Sequence, residues 1–481
     1  MIWAYMNEIM LDRSTKESKK DSYFSIVERV ARLLEQTARN EDPARYTMIA
    51  CHNGPELYEK AKITEIPMIL GWNMYQGWYE PDINEFQRLT DSFHQKYPEK
   101  VLMITEYGPG VDPRLHSMNC QRFDFTQDYG IIYHKHYLRE IMKRPYIAGS
   151  SMWNLNDFYS EVRTDAVPHV NNKGVTGLER EKKDTYLFYQ AAWNKNGCIL
   201  IGQREWKNRS GVADIDNETR STQQVPVFSN LSEVTLTVNE VNVGSQKVTD
   251  GVAYFDVPFT NGKNIIEAVG YDSRNNKITD RTIYEFTLIP RETKKGNFTA
   301  IHISLGSHSF FEDRLNGITW LPEQAYSPGS WGYIGGEVYQ RKSWSGNIVG
   351  TDADILHTEI DPIFQTQRTG IERFKADVPD GEYSISFLWA ELDNIYKNTA
   401  LLYNLDDGNQ ESDNYSQRVF NVCINGKMQL ENINLAEQYG FRRAIIKKCV
   451  IEVSGGQGID ISFIPIEGAP VLNAISIYRN R

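Results

Sequence analysis

Five cysteines are scattered through the 481 residues, at Cys51, Cys120, Cys198, Cys423 and Cys449. Their number is odd and none forms a C-x-x-C pair, which argues against a zinc centre or a disulfide scaffold. No apolar run reaches the roughly 20 residues that a membrane-spanning helix needs. No signal peptide opens the chain, but Met1 leads at once into a core strand, so that absence says little. Positive charge is not in excess. With 52 Lys and Arg against 63 Asp and Glu the net charge is −11, which makes nucleic acid a poor partner. No short internal repeat is evident, and nothing in the pattern calls for a metal or a cofactor.

What is abundant is aromatic: 12% of the chain, with 10 Trp and 27 Tyr. Such rings fill β-rich cores, and they also stack on sugars. Short apolar runs alternate with helical periodicity through the first 196 residues. Ile2–Tyr5, Tyr46–Cys51, Pro67–Gly71, Val101–Thr105 and Ile147–Met152 read as strands. Helices are expected over Ser22–Thr37, Asp82–Tyr97, Gln127–Lys143 and Lys182–Asn194. Alternating strands and helices predict βαβ units and a parallel sheet. Five such units fall short of a closed eight-unit barrel of about 250 residues. Either the sheet is open, or about three units precede Met1.

From Gly197 the pattern becomes all-β. Glu233–Val238, Val252–Val257, Asn264–Tyr271 and Thr282–Leu288 alternate in polarity, with turns at Asp250-Gly251 and Asn261-Gly262. This predicts an Ig-like β-sandwich over 197–290. After a charged linker, 291–481 forms a second all-β block that suits a jelly roll. Gly and aromatics crowd it, with Trp320, Trp331, Tyr333, Tyr339 and Trp344 in its first third.

Two strands of the first block end on acids. Val101–Thr105 runs into Glu106 and then Gly108-Pro109-Gly110, and Ile2–Met6 runs into Asn7-Glu8. The C-terminal ends of parallel strands are where catalytic groups gather. A carboxylate there costs desolvation unless it is paired. The two Glu are therefore either structural ion pairs or a catalytic carboxylate pair.

Motifs around these residues resemble glycoside hydrolase family 2, the β-galactosidase and β-glucuronidase family. W-A-Y-M-N-E at Trp3–Glu8 is similar to its fourth barrel strand, and G-W-N-M-Y-x-G-W-Y at Gly71–Tyr79 to its sixth. I-T-E-Y-G at Ile104–Gly108 resembles the seventh, and S-M-W-N at Ser151–Asn154 the eighth. The tail N-N-K-G-V-x-G-L-E-R-E-K-K-D-x-Y at Asn171–Tyr186 also fits. Residues 197–290 look like the small sandwich that follows such barrels. The last block resembles malectin, through Tyr333-Ile334-Gly335-Gly336, Tyr383–Glu391 and Arg418–Gly426. The resemblance implies a multidomain α/β and β chain. It would hold strands four to eight of a (β/α)8 barrel (1–196), then the sandwich (197–290), then a malectin-like carbohydrate-binding domain (291–481). A jelly roll, another sandwich and the first barrel strands would precede Met1. A bacterial periplasmic or extracellular location follows from the same context.

The resemblance also implies chemistry. Retaining glycosidases hold two carboxyl groups about 5–5.5 Å apart. Glu106 is then the nucleophile and Glu8 the acid/base, with Tyr75 a donor to Glu106. Ionised Glu106 favours the protonated form of Glu8 until esterification removes that charge. Asn7 corresponds to the residue that bonds the sugar 2-hydroxyl. Asn73 belongs to the same constellation. Trp153 is a candidate sugar platform or a core residue, and His52 and Asn53 line the pocket or the core. Asn171 and Lys173 match the Asn-x-Lys pair that binds the carboxylate in β-glucuronidases. The same N-N-K-G stretch is also similar to β-galactosidase relatives. Galactoside is the expected substrate and glucuronide the alternative, with a carbohydrate-binding or scaffold role as a third reading. In the malectin-like block, Tyr333, Tyr339 and Trp389 are candidates to stack on sugar or to fill the core.

Overall fold

The computed structural model describes residues 1–9, 20–52, 55–161, 167–294, 298–343, 346–393 and 417–480. Asn53 and Trp344 lie outside the described residues, as does most of the polar run Asp12–Asp21, expected as a loop. By its contacts the chain forms two compact units, 1–110 with 130–156, and 111–129 with 157–481. The expected first block, 1–196, is divided between them.

The first unit carries β1 (Ile2–Asn7), α1 (Lys20–Glu41), β2 (Tyr46–His52), α2 (Pro55–Lys60), β3 (Ile69–Asn73), α3 (Glu85–Lys96) and β4 (Val101–Glu106). Next in the chain come β5 (Leu115–His116), which belongs to the second unit, then α4 (Gln127–Met142) and β6 (Ile147–Ser150). Strands β1-β2-β3-β4-β6 make one sheet in chain order, and every pair is parallel. Sequential parallel pairing follows from the helical crossover between consecutive strands. Burial explains the composition: β3 is buried along its whole length, as an internal parallel strand should be. On α3 the buried residues Phe86, Thr90 and Phe93 fall on one face at helical spacing. At the outer edge the apolar surface is less covered, with Trp3, Ile26 and Leu33 all exposed.

In the second unit, β7 (Phe158–Tyr159) pairs with β8 (Val170–Asn171), and α5 (Asp184–Trp193) follows. A two-sheet sandwich comes next. Its sheets run Asn208–Val212, Lys277–Ile289, Gly262–Tyr271, Glu233–Val238, Val241–Lys247 and Val252–Thr260, Arg220–Ser229, Ile199–Ile201. Val225, Val227, Leu236, Phe255, Val257, Ile266 and Phe286 meet between them. The turn residues Asp250 and Gly251 both have positive φ, 52° and 81°, the conformation that Asp-Gly hairpins supply.

The C-terminal block packs a seven-stranded and a five-stranded sheet around Ile301, Ile303, Trp331, Phe374, Ile385, Phe387, Trp389, Phe420 and Ile475. The seventh strand of the larger sheet is β5. Leu115 pairs with Phe311 and His116 with Phe310. The segment downstream of Glu106 therefore completes a sheet some 200 residues further along the chain. His116 stacks on Trp206 at 4.2 Å. Alternation along Gly381–Trp389 puts Tyr383, Ile385, Phe387 and Trp389 on the inward face.

His302 lies on the strand Ala300–Ser304 against Trp320 and Tyr478, and its Nδ1 is 2.8 Å from the Ser476 hydroxyl. Burial holds its pKa down to about 4, against 6.5 for a free imidazole. The folded state thus resists protonation. Its stability is full above about 6.5 and declines as pH falls towards 4. Between pH 7 and pH 5 the wild type should lose roughly 2 kcal/mol more than His302→Gln, at about 1.4 kcal/mol per pH unit. Urea unfolding of the C-terminal block at the two pH values measures the difference.

Candidate active site

Glu8 and Glu106 are carried by β1 and β4, at the same C-terminal edge of the parallel sheet. Ladder hydrogen bonds fix both backbones. The Glu8 N–H donates to Ala50 O at 2.9 Å, and the Glu106 carbonyl accepts from Met74 N–H at 2.8 Å. Glu8 leaves β1 with a positive φ of 52°.

Asn73 stands between them on β3, paired in register with His52 on one side and Glu106 on the other. It is 1% exposed. Its Nδ2 donates to Glu8 Oε1 at 2.9 Å and to Asn7 Oδ1 at 3.1 Å, and its Oδ1 accepts from the Thr105 hydroxyl at 2.7 Å. A single carboxamide thus ties the edges of β1 and β3 to the residue preceding Glu106. Beyond it, the Tyr75 hydroxyl donates to Glu106 Oε2 at 2.8 Å. Burial raises the Tyr75 pKa well above its ordinary value, and the charges of Glu106 and Glu8 raise it further. The phenol therefore stays a donor at any working pH, and it senses both acids.

The loop that presents Tyr75 is held from behind by α4. Tyr133 donates to Met74 O at 3.4 Å and Tyr137 to Gln76 O at 3.0 Å, while Tyr137 stacks on Tyr107 at 5.1 Å. Trp153 is half-buried, and its N–H donates to Tyr107 O at 2.9 Å. Its carbonyl comes so close to Gly108 that a Cβ there would lie 2.4 Å from it. Only glycine fits at that crossing. His52 turns its ring onto Tyr58, with Nδ1 2.8 Å from the hydroxyl.

In the second unit Asn171 and Lys173 are both buried, and the Asn171 side-chain oxygen accepts from the Lys173 N–H at 3.3 Å. The three aromatics of the C-terminal block are engaged by the protein itself. Trp389 is fully buried, stacks on Phe387 and donates from Nε1 to Val471 O at 2.7 Å. It is core and not a loop platform, a correction that its inward alternation with Phe387 explains. The Tyr333 ring is covered by the Arg368 guanidinium, 3.3 Å from its centroid, and Arg368 is itself ion-paired with Glu323. Half-buried Tyr339 donates to Leu392 O at 3.3 Å.

Residues 299–469 match the malectin domain family, and 221–279 match a domain of unknown function (DUF4982). A β-glucuronidase of Bacteroides fragilis is 28% identical over 263 residues, which cover 53% of this chain and 35% of that protein. The crystal structure of a Bacteroides uniformis β-glucuronidase superposes with a TM-score of 0.89 at 32% identity, covering all of this chain and 54% of that one. A second structure, B. uniformis β-glucuronidase 2 covalently bound to cyclophellitol-6-carboxylate aziridine, matches with the same values. The chain thus spans about half the length of these structures and about a third of the B. fragilis protein. It is similar to these β-glucuronidases over that shared part. The names of its relatives favour the glucuronide alternative over the galactoside expectation.

Replacing Asn73 by Leu strands the Thr105 hydroxyl and removes the donor to Glu8 and Asn7. Urea unfolding should report a loss of about 1–3 kcal/mol. An unchanged midpoint would mean that the carboxamide bridge contributes nothing.

Proposed function

We propose that this chain carries the catalytic carboxylates of a retaining β-glucuronidase, on a sheet that forms strands four to eight of a (β/α)8 barrel. The observation that carries the reading is the bridge at the sheet edge. Glu8 is hydrogen-bonded by Asn73, and Glu106, the register partner of Asn73, is hydrogen-bonded by Tyr75.

In this reading Glu106, hydrogen-bonded by the Tyr75 hydroxyl, attacks the anomeric carbon. A bond forms from its oxygen to that carbon as the bond to the leaving oxygen breaks, and Glu8 gives its proton to the leaving group. Water then donates a proton to Glu8 and its oxygen displaces Glu106 from the ester, which restores both acids. Asn7, fixed by Asn73, meets the sugar 2-hydroxyl, and Trp153 offers an apolar face. Lys173 supplies the positive charge that a sugar carboxylate requires, and Asn171 a neutral partner. The acid sugar, in place of galactose, is supported by the names of the relatives and by the carboxylate-bearing inhibitor bound to one of them.

The test is covalent labelling and turnover. Cyclophellitol-6-carboxylate aziridine should add to Glu106, found by peptide mass spectrometry of the full product of the reading frame. Turnover of a chromogenic β-glucuronide should exceed that of the matching β-galactoside. Glu106→Gln should abolish labelling and lower kcat by at least about 10³-fold. Unchanged turnover in that variant, or a galactoside preference, would sink the proposal.

A further inference from the structure

Lys183 lies at the start of α5, fully buried. Its ammonium makes three hydrogen bonds, to Val111 O at 2.8 Å, Asp157 Oδ1 at 2.8 Å and Asn172 O at 3.0 Å. An ammonium has three donors and no acceptor, so these partners use it completely. Asp157 is 7% exposed, and its Oδ1 also accepts from the Gly174 N–H at 2.9 Å. Burial opposes the charge on both members, raising the Asp157 pKa to about 6 and lowering that of Lys183. A buried pair of this kind is a costly way to gain stability.

What the pair achieves is geometric. The carbonyl of Asn172 belongs to the peptide group before Lys173, and the N–H of Gly174 to the peptide group after it. Lys183 holds the first and Asp157 the second. Between them they fix φ and ψ of Lys173. Two further bonds brace the segment, Lys183 N–H to Val175 O at 3.1 Å and Asp157 N–H to Thr176 O at 2.8 Å. The third bond of the ammonium reaches Val111, downstream of Glu106, whose own N–H donates to Asn172 O at 3.0 Å.

We infer that Lys183 and Asp157 are positioning residues for acid-sugar recognition: they lock the backbone of Lys173, so that substrate specificity depends on a buried ion pair that does not itself bind sugar. The inference rests on the role proposed above for Lys173.

The experiment compares labelling rates of the full product of the reading frame. Cyclophellitol-6-carboxylate aziridine is set against the neutral cyclophellitol aziridine, for wild type, Lys183→Met, Asp157→Asn and Lys173→Met. Lys183→Met should cut the rate with the acidic probe by about 100-fold and leave the neutral rate within about threefold, so that the preference collapses. Equal losses with both probes would mark a purely structural role and overturn the inference. Should Lys183→Met fail to fold, Asp157→Asn decides. It preserves shape and removes the countercharge, and it too should lower the acidic rate selectively, with equal losses overturning the inference. Lys173→Met separates the two proposals. If it leaves the preference intact, the role of Lys173 is wrong and the inference falls with it. If it alone removes the preference, only the positioning inference fails.

Discussion

A side-chain amide buried at the lip of a parallel sheet must find partners for its donors and its acceptor, or cost the fold a few kcal/mol, about 1–3 by mutational measure. Asn73 finds them on three residues of two segments: Asn7 and Glu8 at the end of β1, and Thr105 before Glu106. The parallel ladder sets each strand end at a fixed height, and the amide then links what the ladder has aligned. Everything proposed about chemistry at this edge depends on that linkage. Without it two acids at the ends of separate strands would have no shared geometry, and the Tyr75 hydroxyl would orient only one of them.

Support for this edge comes in layers. The aromatic face of α4 holds the loop that carries Tyr75 through Tyr133 and Tyr137. Gly108 lets the turn after β4 touch the backbone of Trp153. In the second unit a buried ammonium does comparable work for the stretch around Lys173. In the first and last of these a side chain fixes main-chain groups, which have fewer ways to relax than a rotamer would. This is how a site on loops can approach the rigidity of one on strands.

Much of the scaffold was legible in the residues. Five strands, their helices and the all-β character after Gly197 follow from periodicity and turn chemistry, and Glu233–Val238 forms as read. The Glu8 and Glu106 positions were visible as acids closing apolar runs. Contacts were not. Thr105 and Lys183 lie inside the motifs and Tyr133 outside them, but nothing local announces their contacts, because the partners lie elsewhere in the chain. The strand at Leu115–His116 is two residues long and exists only because a distant edge receives it, so no pattern announces it. For Trp389 sugar stacking and core were both open, and its period-2 alternation with Phe387 accounts for the core position it takes. Galactoside was preferred because the N-N-K-G stretch resembles both kinds of sequence, whereas the relatives found bear the name β-glucuronidase.

The seven-stranded sheet has a consequence for how such a chain can change over time. A β-module that ends in its own strands can be lost, gained or exchanged as a cassette at its linker. This one cannot, because its outermost strand is encoded upstream, within the α/β portion. Exchange at residue 291 would leave Leu115 and His116 without a host and would strip the strand Phe310–Asp313 of its β5 partner. Recombination is therefore tolerated only when donor and recipient keep compatible versions of both stretches, which binds the heredity of the C-terminal block to that of the loop after Glu106.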